Sequence, residues 1–133
     1  MFSSRNSEWA TPQALFELWD AAFHFEVDVC ATSANAKCKR FFSPEEDGLA
    51  QRWAPRVCWM NPPYGREIAK WVKKADEEAE RGATVVCLLP ARTDTKWWHA
   101  YIQYRHQVVF LKGRFKFVGA KHAAPFPSCI VVM

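Results

Sequence analysis

Asn61-Pro62-Pro63-Tyr64 places a carboxamide, two prolines and a phenol ring in four consecutive residues, directly after the apolar run RVCWM. Proline has no N–H, and its ring forces the preceding residue into an extended conformation. Carbonyl oxygens in this stretch are therefore available for something other than helix bonding. The side-chain oxygen of Asn61 and the backbone carbonyl of Pro62 are both acceptors, and Pro63 adds no competing N–H. Two convergent acceptors suit an NH2 group with two donor hydrogens, and Tyr64 offers a flat ring for stacking. An amino-bearing planar base fits that description. Its amine is a poor nucleophile, because the lone pair is delocalised into the ring. Acceptors on both hydrogens stabilise positive charge as it develops on nitrogen, which is electrostatic stabilisation rather than base catalysis. Asn61 is neutral and cannot itself take the proton. What remains is to hold an electrophile in line.

The elements around this tetrapeptide alternate. TPQALFELWDAAF predicts a helix with Thr11 as N-cap, Pro12 in the first position and a face of Leu15, Leu18, Trp19, Ala22 and Phe23. FEVDVCA predicts a short strand that delivers Asp28 and Cys30 at its C-terminal end. Residues 32–55 are polar and irregular, with a rudimentary strand at Lys39–Phe42 and a helical turn in DGLAQRW. RVCWM is a strand and REIAKWVKKADEEAERG an amphipathic helix whose stripe is Ile68, Trp71, Val72, Ala75 and Ala79, ended by Gly82. ATVVCLLP is a continuous apolar run, as a strand covered on both faces requires. TDTKWWHAYIQYR predicts a further helix, capped by Thr93 or Asp94, and HQVVFLKG, RFKFVG and SCIVVM predict three closing strands.

Strands alternating with helices imply an α/β fold: a single domain over residues 1–133, with a mainly parallel sheet and helices on both faces. The last runs follow without a helix between them, so an antiparallel C-terminal strand is expected. Ligands of open α/β sheets sit beyond the carboxyl ends of the strands. DVCAT, NPPYG and PARTDT are the three loops placed there.

With 133 residues, 50% hydrophobic and 24% charged, the chain has ordinary globular composition and length for one domain. The opening MFSSRNSEW lacks a signal-peptide apolar stretch and no run approaches membrane-spanning length, so a cytoplasmic protein with no membrane partner is expected. The five cysteines have no C-x-x-C spacing, which predicts reduced structural thiols and no metal site. The net charge of +4 is unevenly spread. Residues 1–50 hold 4 Lys/Arg against 8 Asp/Glu, whereas residues 92–122 hold 7 Lys/Arg against the single acid Asp94. A basic half suggests a phosphate-bearing partner and an acidic half a cationic ligand. One of Trp97 and Trp98 is expected in the core, and the other against nucleic acid or at a homodimer interface.

NPPY resembles the catalytic motif of S-adenosylmethionine-dependent amino methyltransferases, in which Asn, Asp or Ser precedes Pro-Pro and an aromatic residue. EWATPQALFELW resembles the Thr-Pro motif that precedes the cofactor loop in one circular order of these enzymes. VDVCAT resembles their first cofactor-binding strand and loop, and DGLAQRW an acidic cofactor contact. LLPARTDTKWWH, LKGRFKF and PFPSCIVVM are similar to segments of the small, phage-type (Dam-like) DNA N-6-adenine methyltransferases. The resemblance runs over nearly the whole chain. It implies a reduced Rossmann-like methyltransferase sheet, S-adenosylmethionine as cofactor, DNA as partner and, for a phage or prophage gene, the bacterial cytoplasm.

Roles follow for the matching positions. Trp9, Thr11 and Pro12 would pack against the methionine end of the cofactor; Asp28, Cys30 and Ala31 would form its loop; Asp47 would contact its nucleoside. Asn61, Pro62, Pro63 and Tyr64 would hold the target adenine, flipped out of its duplex. Arg92, Lys96, Arg114 and Lys116 are candidate DNA contacts. Ala31-Thr32-Ser33 stand where these enzymes usually carry a glycine-rich loop. The 30 residues between Cys30 and Asn61 leave room for about one crossover unit, so two strands of the full sheet should be missing. No insertion is long enough for a target-recognition domain. Two other readings share the motif: an RNA or protein-glutamine methyltransferase, and a non-catalytic nucleic-acid-binding relative.

Overall fold

Residues 10–133 are described by the computed structural model, so Trp9 lies outside the described residues. They form three α-helices, α1 (Gln13–Phe23), α2 (Ile68–Glu80) and α3 (Lys96–Tyr101), and five strands. The strands are β1 (Val27–Asp28), β2 (Val57–Met60), β3 (Thr84–Pro90), β4 (Gln107–Phe110) and β5 (Ser128–Val132). One sheet joins them in the order β1-β2-β3-β5-β4. The β1–β2 and β2–β3 pairs are parallel; β5 is antiparallel to both β3 and β4. The sheet is therefore mixed, and both antiparallel pairings come from one reversed strand, the C-terminal one.

Burial follows the sequence pattern closely in the middle of the sheet. Val85 through Pro90 of β3 are all buried, as are Ser128 through Val131 of β5. Edge strand β4 is largely exposed. Helix α2 packs on β3 and α3, and its buried residues include Ile68, Trp71, Val72 and Ala75. Phe16 of α1 meets Trp59 of β2 edge-on at 5.4 Å.

Several local expectations need correction. Thr11 does not cap α1: Pro12 holds the cap position, with no side-chain cap hydrogen bond. The apolar face of α1 is centred on Phe16, while Leu18 is 69% exposed. Helix α3 is shorter than TDTKWWHAYIQYR, because Thr95 rather than Thr93 or Asp94 accepts the Trp98 N–H, and Tyr104 takes a positive φ of 64°. Both Trp97 and Trp98 are buried, which leaves neither ring for nucleic acid or a dimer interface. RFKFVG is not a strand; only Val118 makes an isolated bridge, to Ala10. The rudimentary strand at Lys39–Phe42 is likewise one bridge, Phe41 to Asp28. The turn in DGLAQRW is a 3-10 helix, Gly48–Ala50.

Glu78 of α2 is an ionisable side chain that the amphipathic pattern places among solvated charges, yet it is 1% exposed. Its Oε1 accepts the backbone N–H groups of Trp53 (2.8 Å) and Ala54 (3.0 Å). Its Oε2 accepts from Lys74 (2.9 Å) and Arg81 (2.8 Å). Burial alone would raise this carboxyl, but the Ala54 N–H, Lys74 and the Trp53 N–H outweigh it and bring it from 4.5 down to about 2. Asp76 on the same helix is buried against Arg105 and His106, tying α2 to the α3–β4 connection.

A carboxylate depressed in the folded state stabilises above its unfolded value and loses that contribution as pH falls through its folded value. Glu78 should therefore contribute fully above pH 4.5, with the contribution lost on the way down to about 2. At neutral pH Glu78→Gln should cost roughly 3 kcal/mol. Urea unfolding followed across this pH range should show a flatter dependence in the variant. Parallel curves would show that the buried carboxylate does not hold the fold.

Candidate active site

The carboxyl ends of the three parallel strands lead directly into the three loops expected to form a site: β1 ends at Asp28, β2 at Met60 and β3 at Pro90. Asp28 is 3% exposed. Its Oδ1 accepts from the Cys30 N–H (3.2 Å) and its Oδ2 from the Lys37 N–H (3.1 Å), so one carboxylate folds the loop back on itself. Burial pushes this carboxyl up from 3.8 to about 6, opposed in part by those two N–H groups and the Lys37 charge. The return segment runs beside β1: Asp28 N–H donates to Arg40 O, Phe42 N–H to Asp28 O, and Ala31 N–H to Phe42 O.

That loop and the 3-10 turn enclose a cavity of about 250 Å3. Cys30, Ala31, Phe42 and Leu49 give it apolar walls, and Asp47 puts a carboxylate on it. Pro63 lines it too, so the cavity abuts the NPPY turn. Asp47 holds φ 58° and accepts the Leu49 N–H through Oδ1, which shapes the turn. Gly48 is required by close approach rather than by its φ. A Cβ there would stand 2.1 Å from Val29 O and 2.9 Å from the Trp71 ring. The Trp53 indole N–H donates to Gly48 O at 2.8 Å and fixes the turn from beneath.

Asn61 is half-buried, and its Nδ2 donates to Thr11 Oγ1 at 3.0 Å. The hydroxyl expected as a helix cap thus orients the carboxamide instead. Pro62 is buried. Tyr64 is 4% exposed, with its hydroxyl donating to Leu88 O at 3.2 Å. Phe126 and Phe117 pack edge-to-face with its ring, at 5.6 and 6.4 Å. Burial, first of all, holds the Tyr64 phenol protonated well above its ordinary value.

The basic candidates divide between two segments. Arg92 and Lys96 are exposed at the β3–α3 connection, Arg114 and Lys116 on the β4–β5 loop. Phe126 joins the two, since the Arg92 guanidinium lies 5.7 Å over its ring. All five cysteines are free. The Cys30 thiol, in the cavity wall, is pushed up to about 12 by burial and the Asp28 charge. Among the described residues no group of three or more His, Cys, Asp or Glu is placed to hold a metal ion, and no helix is long and apolar enough to cross a membrane.

Of the residues singled out from the sequence, Cys30, Ala31 and Asp47, expected at the cofactor, and Pro63, expected at the adenine, all line this cavity; Phe42, Leu49, Gly48 and Glu67 line it without having been singled out. Trp71 was legible only as part of a helix stripe; the close packing of its ring on Gly48 is a tertiary contact.

A family model described as DNA N-6-adenine-methyltransferase (Dam) matches residues 2–128. A protein of Haemophilus phage HP1 (strain HP1c1) named DNA N-6-adenine-methyltransferase is 33% identical over 105 residues, which cover 77% of this chain and 61% of that protein. A protein of Escherichia phage T1 with the same name is 29% identical over 106 residues, covering 78% of this chain and 44% of that protein. The chain therefore spans less than two thirds of the length of either relative. Since the family match runs through the β1 loop, the NPPY turn and the basic β4–β5 loop alike, the chain belongs to the DNA N-6-adenine-methyltransferase (Dam) family.

Proposed function

We propose that this chain transfers a methyl group from S-adenosylmethionine to the exocyclic N6 amino group of adenine in DNA. One observation carries the reading: Pro63 of the NPPY turn is also a wall of the cavity made by the β1 loop and the Gly48 turn. A donor held in that cavity would lie beside an acceptor held by Asn61–Tyr64. The family match and the names of the two phage relatives support adenine in DNA as the acceptor. The single reversed strand, β5, lying between β3 and β4, supports a reduced Rossmann-like methyltransferase sheet.

The lining residues fit the cofactor in chemical kind. Phe42, Leu49 and Trp71 suit a flat purine, and the Asp47 carboxylate suits ribose hydroxyls. Asp47 and Glu67, with Asp28 behind the loop, bias this region toward a cation. S-adenosylmethionine supplies an electrophilic methyl carbon on a positively charged sulfur. The residues of the chain then position the acceptor. Thr11 holds one end of the Asn61 carboxamide, which directs its carbonyl oxygen away from the hydroxyl. That oxygen and the Pro62 carbonyl accept the two amino hydrogens and stabilise the charge that develops on N6. The proton then passes to water. Cys30, held protonated, takes no nucleophilic part.

Tyr64 is covered by Phe117 and Phe126. A base stacked on it would take the place of Phe126, which is 8% exposed and lies under Arg92. Extruding the base from a duplex costs roughly a few kcal/mol, offset by contacts to the exposed cations Arg92, Lys96, Arg114 and Lys116.

Incubation with methyl-labelled S-adenosylmethionine and DNA, RNA or protein, followed by digestion, should recover the label as N6-methyladenine from DNA. Label confined to RNA or glutamine would sink the reading. Asn61→Ala should lower kcat on the order of a hundred- to a thousand-fold while cofactor affinity stays within about two-fold. Residual full activity would remove Asn61 from the mechanism.

Asp28 gives a pH prediction. The folded chain holds its proton up to about pH 6 and the unfolded chain only to 3.8, so charging Asp28 costs the free protein stability as pH rises through this window. The ionised form accepts the two loop N–H groups more strongly. Cofactor affinity measured by calorimetry should therefore rise as pH climbs through about 6, and Asp28→Asn should flatten that rise. A wild-type affinity that does not change across this range would show that the charge of Asp28 does not organise the loop.

A further inference from the structure

We infer that Val118 is a wedge: the side chain that enters the duplex beside the target and occupies the stack when the adenine leaves it. The inference rests on the proposed action on DNA and assigns to the β4–β5 loop a task in extruding the target base.

The placement is specific. Residues 117–120 form a tight turn closed by the Ala120 N–H donating to Phe117 O at 3.0 Å, with Gly119 at φ +83° in its third position. That is the geometry of a type II turn, which needs a residue tolerant of positive φ there. Phe117 is 1% exposed and packs edge-to-face with Tyr64. The next residue, Val118, is 59% exposed. Its own N–H donates to Ala10 O at 3.2 Å, immediately before Thr11, whose hydroxyl holds Asn61. Val118 is therefore tied to the NPPY turn from two sides, through Phe117 to Tyr64 and through Ala10 and Thr11 to Asn61.

Its surroundings select a nucleic acid rather than an apolar partner. Lys112, Arg114, Lys116, Lys121 and His122 are all exposed on the same loop, with no acidic residue between them. Four of these are permanent cations suited to the phosphates flanking an inserted apolar side chain. Other large apolar side chains exposed among the described residues lie elsewhere: Leu18 on α1, Tyr104 before β4, and Val109 and Phe110 in β4. An apolar side chain on a turn anchored beside the acceptor pocket can fill the gap in the base stack. A branched, rigid valine does so at little entropic cost.

The test compares two duplexes with the same sequence, containing a site the wild-type protein methylates. In one the target adenine is paired; in the other it faces an abasic site, so no pairing has to be broken. Val118→Ala should lower kcat/KM roughly ten-fold or more on the paired duplex and leave the abasic duplex within about two-fold of wild type. Val118→Leu should retain most activity on both. With 2-aminopurine at the target position, the fluorescence rise on binding should shrink in Val118→Ala while DNA affinity changes little. Equal losses on both duplexes, or no loss on either, would overturn the wedge. If the wild-type protein labels RNA or protein but no DNA from which such a site could be taken, the action on DNA fails and the wedge with it, an outcome distinct from a loss confined to the variant.

Discussion

A buried carboxylate on α2 underlies the wall of the cavity beside the NPPY turn. Glu78 holds the backbone of Trp53 and Ala54 at the point where the irregular 32–55 segment rejoins the sheet. Trp53, fixed there and fully buried, donates to Gly48 O, and Gly48 in turn sits against Val29 O and the Trp71 ring. The cavity wall is thus set from below by a chain of contacts that starts at Glu78, toward the C-terminal end of α2. A charge buried this deeply is tolerated because two backbone N–H groups and two cations surround it; leaving any of them unpaired would cost more than the pair contributes.

The same economy governs the NPPY turn. Thr11 and Asn61 are fifty positions apart, and one hydrogen bond between them joins the start of α1 to the end of β2. Three strand ends present Asp28, Asn61 and the loop after Pro90 on one edge, as parallel strands must when their connections cross over the sheet. Because β5 runs opposite to β3 and β4, the end of β4 and the start of β5 both lie at that edge, and the loop between them begins and ends there. The middle and the end of that loop come back to the NPPY turn, where Phe117 and Phe126 both pack on Tyr64.

What the sequence disclosed was what local pattern determines. The run ATVVCLLP and the stripe Ile68, Trp71, Val72 and Ala75 were legible because burial repeats with the period of the element. The loops at the carboxyl edge followed from alternation alone. The misses are long-range. Thr11 has the composition of a cap, but its hydroxyl is engaged by a residue from another element. RFKFVG alternates like a strand, yet β5 occupies the place beside β3, and its aromatic residues pack on Tyr64 and on each other instead. Glu78 looks like one more charge on a solvated helix face, and only the fold brings Trp53 to it. The Gly48 turn carries no local signal beyond Asp47-Gly48, because its necessity lies in the Val29 carbonyl and the Trp71 ring.

The absence of glycines from the β1 loop has a physical resolution in these contacts. A glycine-rich loop brings backbone close to a ligand by omitting side chains. Here Ala31 keeps its methyl group as part of the cavity wall, and the close approach is transferred to the opposite side, where Gly48 meets Val29 O. Asp28 supplies the curvature that glycines would otherwise permit, by accepting two N–H groups seven residues apart, those of Cys30 and Lys37. The cost is a carboxyl shifted up to about 6 by burial. A cation bound on the other side of that loop would lower it again, so a cationic ligand and the ionised loop stabilise each other. A short chain can thereby shape its pocket with one buried charge in place of a run of glycines.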